Sequence, residues 1–93
     1  MANRACACHI LVKTREEAES LLKQLNKWAE FDKLARKHST CPSGKQGGSL
    51  GEFGRNDMVK PFVDAVFKGP LLKVQGPVKT KFGWHLIKTL YRQ

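Results

Sequence analysis

The segment from Cys41 to Phe53, CPSGKQGGSLGEF, is the most informative part of this chain. Five of its first eleven residues are glycine or proline, which favour turns over regular structure. The segment therefore predicts a long, shaped loop, and its last four residues, Leu50 to Phe53, have the pattern of a short strand. Large apolar residues follow at some distance, in Met58, Pro61-Phe62 and Phe82-Gly83-Trp84-His85.

Before the loop, the chain predicts a strand and two helices. Residues 5–12 form an apolar run typical of a buried strand, with Ala7, His9 and Leu11 on one face and Cys6, Cys8, Ile10 and Val12 on the other. Thr14 and Glu17 have the spacing of a capping box. This box predicts a helix over 15–27, with Ala18, Leu21, Leu22, Leu25 and Trp28 on its apolar face. A shorter helix, with Phe31, Leu34, Ala35 and His38 on one side, ends near Ser39.

After the loop, the pattern predicts a third helix and a hairpin. Pro61 suits the first turn of a helix, and Gly69-Pro70 ends it. The hairpin strands are 76–80 and 84–91; the second places His85, Ile87, Thr89 and Tyr91 on one face and Trp84, Leu86 and Leu90 on the other. The order β-α-α-β-α-β-β predicts a single α+β domain over residues 1–93, with a small, mainly antiparallel four-stranded sheet and about three helices.

Composition narrows the possible classes of protein. The chain has 93 residues, of which 41% are hydrophobic, enough for one core. No apolar run approaches the roughly 20 residues that span a bilayer, so no membrane contact is predicted. The first residues lack the charged, apolar and cleavage regions of a signal peptide. Three cysteines, an odd number, favour reduced thiols over a disulfide framework. These features predict a cytoplasmic protein.

The chain carries 17 basic and 8 acidic residues, a net charge of +9. Such a charge can indicate a nucleic-acid-binding domain, whose affinity would fall steeply with salt. The basic residues are scattered, however, without an arginine-rich block or a strand that alternates aromatic and basic residues. A solvated basic surface, with no specific nucleic-acid site, is therefore the favoured interpretation.

His9 and His85 lie near the middle of two strands that can be neighbours. Both can face one pocket floor, where they would bond to each other and to Thr80 or to the thiol of Cys41. A thiol hydrolase is an alternative, but no cysteine-protease signature surrounds Cys41. A zinc site is another, but alternation places His9 opposite Cys6 and Cys8, and no second Cys/His pair completes a tetrahedron. No metal is predicted.

Four large apolar residues, Leu50, Met58, Phe62 and Phe82, fall in or beside predicted loops. Each one alone is compatible with a place in the core. Loops rarely contain so many large apolar residues unless these line a cavity or contact a partner. The group therefore predicts an apolar pocket.

The chain resembles the parvulin family of peptidyl-prolyl cis/trans isomerases along essentially its whole length. The resemblance is carried by His9-Ile10-Leu11-Val12-Lys13, Cys41-Pro42-Ser43-Gly44, Gly47-Gly48-x-Leu50-Gly51-x-Phe53, Met58-x-x-Pro61-Phe62, Gly76-Pro77-Val78 and Gly83-x-His85-x-Ile87. It implies that Leu50, Met58 and Phe62 are the walls of a proline pocket, with Phe82 at its edge. It places His9, Cys41, Thr80 and His85 in the polar floor.

The resemblance also implies a function: phosphorylation-independent isomerisation of X-Pro bonds in unfolded or flexible polypeptides, without a cofactor or a covalent step. Phosphate-directed parvulins carry an arginine-bearing insertion after the first strand, whereas here Lys13-Thr14 runs directly into a helix. The remaining alternative is a non-catalytic, proline-directed peptide-binding or chaperone module that uses the same groove. The expected partners are nascent or unfolded clients that contain proline, and the expected state is a monomer.

Overall fold

The computed structural model describes residues 3–93 and confirms the predicted order of elements. Strand β1 (Arg4–Val12) is followed by helices α1 (Arg15–Asn26) and α2 (Phe31–His38). The chain continues through strand β2 (Ser49–Gly54), helix α3 (Lys60–Lys68) and a hairpin of β3 (Val74–Thr80) and β4 (Gly83–Arg92). Across residues 3–93, none of the helices is both long and apolar enough to span a membrane.

The four strands form one sheet in the order β2-β1-β4-β3, and every neighbouring pair is antiparallel. Strands β1 and β4 are therefore the central pair, and they carry His9 and His85. Strand β3 begins at Val74, two residues before the predicted start at 76, because Val74 and Gln75 still pair with β4. The α+β architecture predicted from the sequence is confirmed.

Helices cover both faces of the sheet, and this explains why β1 is apolar on both sides. We call the face covered by α3 the front face and the face covered by α1 and α2 the back face. The front core contains Ala5, Ala7, Phe53, Phe62, Val63, Val66, Phe67 and Ile87. The back core contains Ile10, Val12, Ala18, Leu21, Leu34, Ala35 and Leu86.

Helix α1 begins as predicted, since the side chain of Thr14 accepts a hydrogen bond from the amide of Glu17 at 3.2 Å. At the other end of α1, the prediction that Trp28 lies on the apolar face is wrong. The amides of Lys27 and Ala29 both donate to the carbonyl of Gln24, and Trp28 has a φ of 77°. This left-handed residue turns the chain away from the helix axis, and Trp28 is consequently 95% exposed.

The face predicted for Tyr91 is also wrong. Thr89 pairs with Ala7, but Tyr91 pairs with Cys6, so Leu90 is the extra residue of a β-bulge. A one-residue shift moves the side chains that follow it to the other face. Tyr91 therefore lies beside Cys6 on the back face, where its hydroxyl bonds to Glu52 at 3.0 Å.

The predicted loop contains a short 3₁₀ helix (Pro42–Gln46). Hydrogen bonds join this region to the C-terminal half of β1. Strand β2 pairs with β1 only from Arg4 to Cys8. Beyond that point the amide of His9 donates to Gly48, and the carbonyl of Leu11 accepts from Thr40. Gly48 has a φ of 87°, and a Cβ there would lie 2.4 Å from the carbonyl oxygen of His9. Only glycine allows the loop to lie this close to the strand.

Candidate active site

A cavity of about 530 Å³ opens on the front face, and all four predicted apolar residues line it. Leu50 comes from β2, Met58 from the loop before α3, Phe62 from α3 and Phe82 from the β3–β4 turn. The same cavity is lined by His9, Cys41 and His85. Thr80 is not among the lining residues; it is buried behind His85. The structure thus brings together every residue that the sequence placed in the site.

The floor of the cavity is a continuous chain of hydrogen bonds. His9 pairs with Ile87 and His85 with Leu11, so the two histidines are diagonal neighbours on adjacent strands. Their Nδ1 atoms lie 2.9 Å apart. The Nε2 atom of His85 lies 2.7 Å from the hydroxyl of Thr80, and Nε2 of His9 lies 3.1 Å from the hydroxyl of Ser43. Ser43 in turn donates to the sulfur of Cys41 at 3.3 Å.

One arrangement of protons satisfies every member of this chain. The amide of Phe82 donates to Thr80 Oγ1, whose own hydrogen can then be given to His85. His85 donates through Nδ1 to His9, and His9 donates through Nε2 to Ser43. Each neutral imidazole then uses one nitrogen as donor and the other as acceptor. The direction ends at Cys41, which leaves its thiol hydrogen free to enter the cavity.

Phe62 joins the apolar wall to this polar floor. Its ring meets His9 edge-on, with centroids 5.5 Å apart, and meets His85 at 5.3 Å. The two imidazoles are stacked on each other at 5.1 Å. Phe62 is only 2% exposed, so it seals the histidine pair on the side of α3.

Both histidines are neutral at physiological pH. Burial, with an added repulsion from His85, lowers the pKa of His9 to about 4, and burial lowers the pKa of His85 to about 4. A buried imidazole loses the hydration that favours its charged form. At pH 7 the two histidines of the floor therefore offer hydrogen bonds but no charge.

Ser43 was not predicted as a site residue. The sequence suggested that a histidine could bond directly to Cys41, but within residues 3–93 no hydrogen bond joins Cys41 to a histidine; Ser43 lies between them. This separation also removes the direct Cys–His contact that a thiol hydrolase uses. The sequence feature that could have identified Ser43 is a hydroxyl side chain two residues after Cys41. The cavity also includes unpredicted lining residues, namely Leu11, Thr40, Pro42, Asn56, Asp57 and Val59.

Replacing Ser43 with alanine will destabilise the fold by about 1–3 kcal/mol, because it removes the hydrogen-bond partner of the partly buried Nε2 atom of His9. Urea unfolding monitored by circular dichroism measures the change. Ser20→Ala, an exposed position on α1, is the control and should alter stability by less than about 0.5 kcal/mol. Equal stability of Ser43→Ala and the wild type would show that the bond from His9 to Ser43 contributes nothing.

The structure also bears on the zinc alternative. His9 faces the front cavity, whereas Cys6 and Cys8 lie on the back face beside Tyr91 and Lys88. Within residues 3–93 there is no group of three or more His, Cys, Asp or Glu side chains that could hold a metal ion. All three cysteines are free thiols.

Comparison with known proteins identifies the family. The family described as "PPIC-type PPIASE domain" matches residues 3–93. The chain is a parvulin domain. This parvulin domain is 47% identical over 83 residues to the foldase protein PrsA of Geobacillus sp. (strain WCH70). The match covers 88% of the chain but 30% of that relative, so the chain spans about a third of the curated protein that it matches.

Two solved structures illustrate how closely the parvulin domain follows known ones. The crystal structure of the peptidylprolyl isomerase PrsA from Bacillus anthracis superposes with a TM-score of 0.96 at 32% identity, covering 99% of this chain and 43% of that one. The solution structure of NmPin, the parvuline of Nitrosopumilus maritimus, gives a TM-score of 0.86 at 39% identity and covers 98% of this chain and 99% of that one. The second match shows that a solved parvulin chain can consist of little more than these elements.

Proposed function

We propose that this parvulin domain catalyses cis/trans isomerisation of X-Pro peptide bonds in flexible polypeptides. The observation that carries the proposal is the joining of two environments in one cavity. Apolar walls from Leu50, Met58 and Phe62 lie above a floor of hydrogen-bonded side chains that includes two neutral histidines. A proline ring fits the first environment, and the peptide bond before it contacts the second.

The chemistry of the amide bond explains why such a cavity can act as a catalyst. Resonance gives the C–N bond a rotational barrier of about 18–20 kcal/mol, and X-Pro bonds isomerise in tens to hundreds of seconds. In the twisted transition state the carbonyl oxygen loses negative charge, so water stabilises this state less than the planar one. An apolar pocket removes that advantage of the planar form while holding the ring. A thousandfold acceleration needs only about 4 kcal/mol.

The floor residues have distinct roles in this proposal. Cys41 faces the bond that rotates and supplies a local hydrogen bond. His9 and His85 hold the floor in place and fix each other's tautomers, while Thr80 orients His85. No step is covalent, and no group in the floor needs to ionise.

The direct test is the cis-to-trans exchange rate of a short peptide with an apolar residue before proline, measured by exchange NMR. Catalytic amounts of protein should accelerate exchange, and Met58→Ala should lower kcat/KM about tenfold because one pocket wall is lost. Lys68→Ala, an exposed position at the end of α3, should leave the rate unchanged. Saturable binding without acceleration would instead indicate a peptide-binding module, and equal activity of Met58→Ala would remove Met58 from the pocket.

We propose that the residue before proline is uncharged and apolar, because Phe82 is 60% exposed at the cavity edge and is available to contact it. A phosphate requirement is not part of the proposal. Arg15, the arginine that follows β1, is paired with Glu19 at 2.9 Å, and its guanidinium lies 5.8 Å from the ring centroid of Trp84 on the back face. Peptides with leucine and with phosphoserine before proline, compared in the same assay, test this preference.

The remaining proposals concern the cellular setting. Nascent or unfolded clients with exposed X-Pro bonds are the proposed partners. The proposed state is a monomer, which light scattering can check. The absence of a specific nucleic-acid site is also proposed, and binding assays at several salt concentrations can check it. Three free thiols support a reducing compartment, and we propose the cytoplasm. Fractionation of the source cells with antibody detection tests that location.

A further inference from the structure

The residues that line the cavity carry a negative formal charge, whereas the whole chain carries a net positive charge. The chain has 17 basic and 8 acidic residues, yet within residues 3–93 no lysine or arginine lines the front cavity. With the histidines neutral, Asp57 is the one formally charged lining residue in the described part of the chain. A single carboxylate in a pocket with no other formally charged lining residue among those described can select substrates by their charge.

Asp57 is held in position by its own turn. The residue lies in the loop between β2 and α3, directly before the pocket residue Met58. Its Oδ2 atom accepts the amide hydrogen of Gly54 at 2.7 Å, which fixes the direction of the side chain. This hydrogen bond uses one of the two carboxylate oxygens.

Two arginines near Asp57, Arg4 and Arg55, contact other residues. Across residues 3–93, none of the ion pairs includes Asp57. Arg4, which also lies beside Gly54, is bound to Glu52 at 2.8 Å. The guanidinium of Arg55 lies 4.2 Å from the ring centroid of Phe67. Asp57 is itself exposed, so its carboxylate is accessible to a cation on the substrate.

The topology places Asp57 and Phe82 on opposite sides of the proline pocket. Strands β2 and β3 are the two outer strands of the sheet. Asp57 belongs to the loop that leaves β2, and Phe82 belongs to the turn that ends β3. A peptide whose proline enters between them extends toward Phe82 in one direction and toward Asp57 in the other. If Phe82 contacts the residue before proline, Asp57 lies on the side of the residue after it.

We propose that Asp57 is a specificity-determining residue that favours a lysine or arginine directly after the target proline. The proposal rests on the isomerase function proposed above. It adds a charge preference on one side of the proline to the apolar preference on the other. A carboxylate selects a basic side chain by direct attraction, and it disfavours an acidic one by repulsion.

The expected preference is modest. Exposed ion pairs shift equilibria by about two- to fivefold, and salt weakens them. The field of the whole chain acts in the other direction, since a net charge of +9 attracts acidic peptides. A preference for lysine over glutamate would therefore have to come from a local group, because the overall charge predicts the reverse.

The experiment compares kcat/KM for three peptides of the form Ala-Leu-Pro-X, with lysine, leucine or glutamate as X. In the wild type, the ratio of the lysine to the glutamate value should be about two to five at low salt and should fall toward one in 0.5 M NaCl. Asp57→Asn, which keeps the acceptor for Gly54, should reduce this ratio to one or below. Asp64→Asn is the matched control: it changes the net charge equally from α3 but does not line the cavity, so the ratio should stay at the wild-type value.

The measured ratios distinguish a failure of the role of Asp57 from a failure of the isomerase function. A ratio that Asp57→Asn leaves unchanged, or that Asp64→Asn lowers equally, would overturn the role of Asp57, as would a wild-type preference for glutamate. Absence of catalysis toward all three peptides would contradict the isomerase function itself. The leucine peptide separates these failures, because it is turned over by an active enzyme whatever its charge preference.

Discussion

Replacing Phe62 with alanine will destabilise the fold by about 3–5 kcal/mol and will abolish the proposed isomerase activity. Phe62 is 2% exposed and is shared by the hydrophobic core and the cavity wall. Its ring packs against Phe53, with centroids 6.1 Å apart, and against both histidines of the floor. Truncation therefore opens a void in the front core and exposes the histidine pair to water.

Thermal unfolding followed by circular dichroism measures the loss of stability, which for a chain of this size corresponds to a fall in Tm of at least about 12 °C. Phe62→Leu keeps most of the volume and should remain folded, so the NMR exchange assay can measure its activity separately. Phe82→Ala, which removes a 60% exposed ring, is the control for stability. A Phe62→Ala protein as stable as Phe82→Ala would contradict the packing described here.

Acid will destabilise the protein through the histidine pair. Both imidazoles have a pKa lowered from 6.5 to about 4 in the folded state. Between those values the unfolded chain binds more protons than the folded one, so the free energy of unfolding falls as the pH falls. With these pKa values the loss between pH 7 and pH 5 is about 2 kcal/mol for each histidine. Most carboxylates titrate below this range.

Urea unfolding at pH 7, 6 and 5 measures this slope, and the NMR signals of the two rings report their pKa values directly. Removing one member of the pair with His85→Gln should reduce the slope, because one buried imidazole remains. Stability that does not change between pH 7 and pH 5, or ring signals that titrate near 6.5 in the folded protein, would contradict the burial of the pair.

The parts of the fold that depend on local sequence were predictable. The capping box at Thr14, the proline in the first turn of α3 and the glycines of the loop act over a few residues, and each element they define is present. The four apolar residues could be grouped because large apolar side chains in loops usually line a cavity or contact a partner. Their convergence on one cavity followed from the element order and from the resemblance to parvulins.

The exact register of strand pairing and the docking of the loops were not predictable. The bulge at Leu90 arises where β4 meets β1, and strict alternation along β4 alone placed Tyr91 on the wrong face. Trp28 continued the apolar spacing of α1, although the helix ends before it. Ser43 and Asp57 looked like ordinary loop residues. Their places in the site are set by how the loops dock on the sheet.

The hydrogen bonds that join Thr40 and Gly48 to β1 have a consequence for aggregation. Beyond Cys8 the central strand has no neighbour on the β2 side, and its amide and carbonyl groups would form an open edge able to recruit a strand from another chain. The carbonyl of Gly48 accepts a hydrogen bond from the amide of His9, and the amide of Thr40 donates one to the carbonyl of Leu11. The segment that lines the pocket thus also protects the sheet edge from pairing with another chain, so substitutions that loosen it should promote aggregation as well as lower the proposed activity.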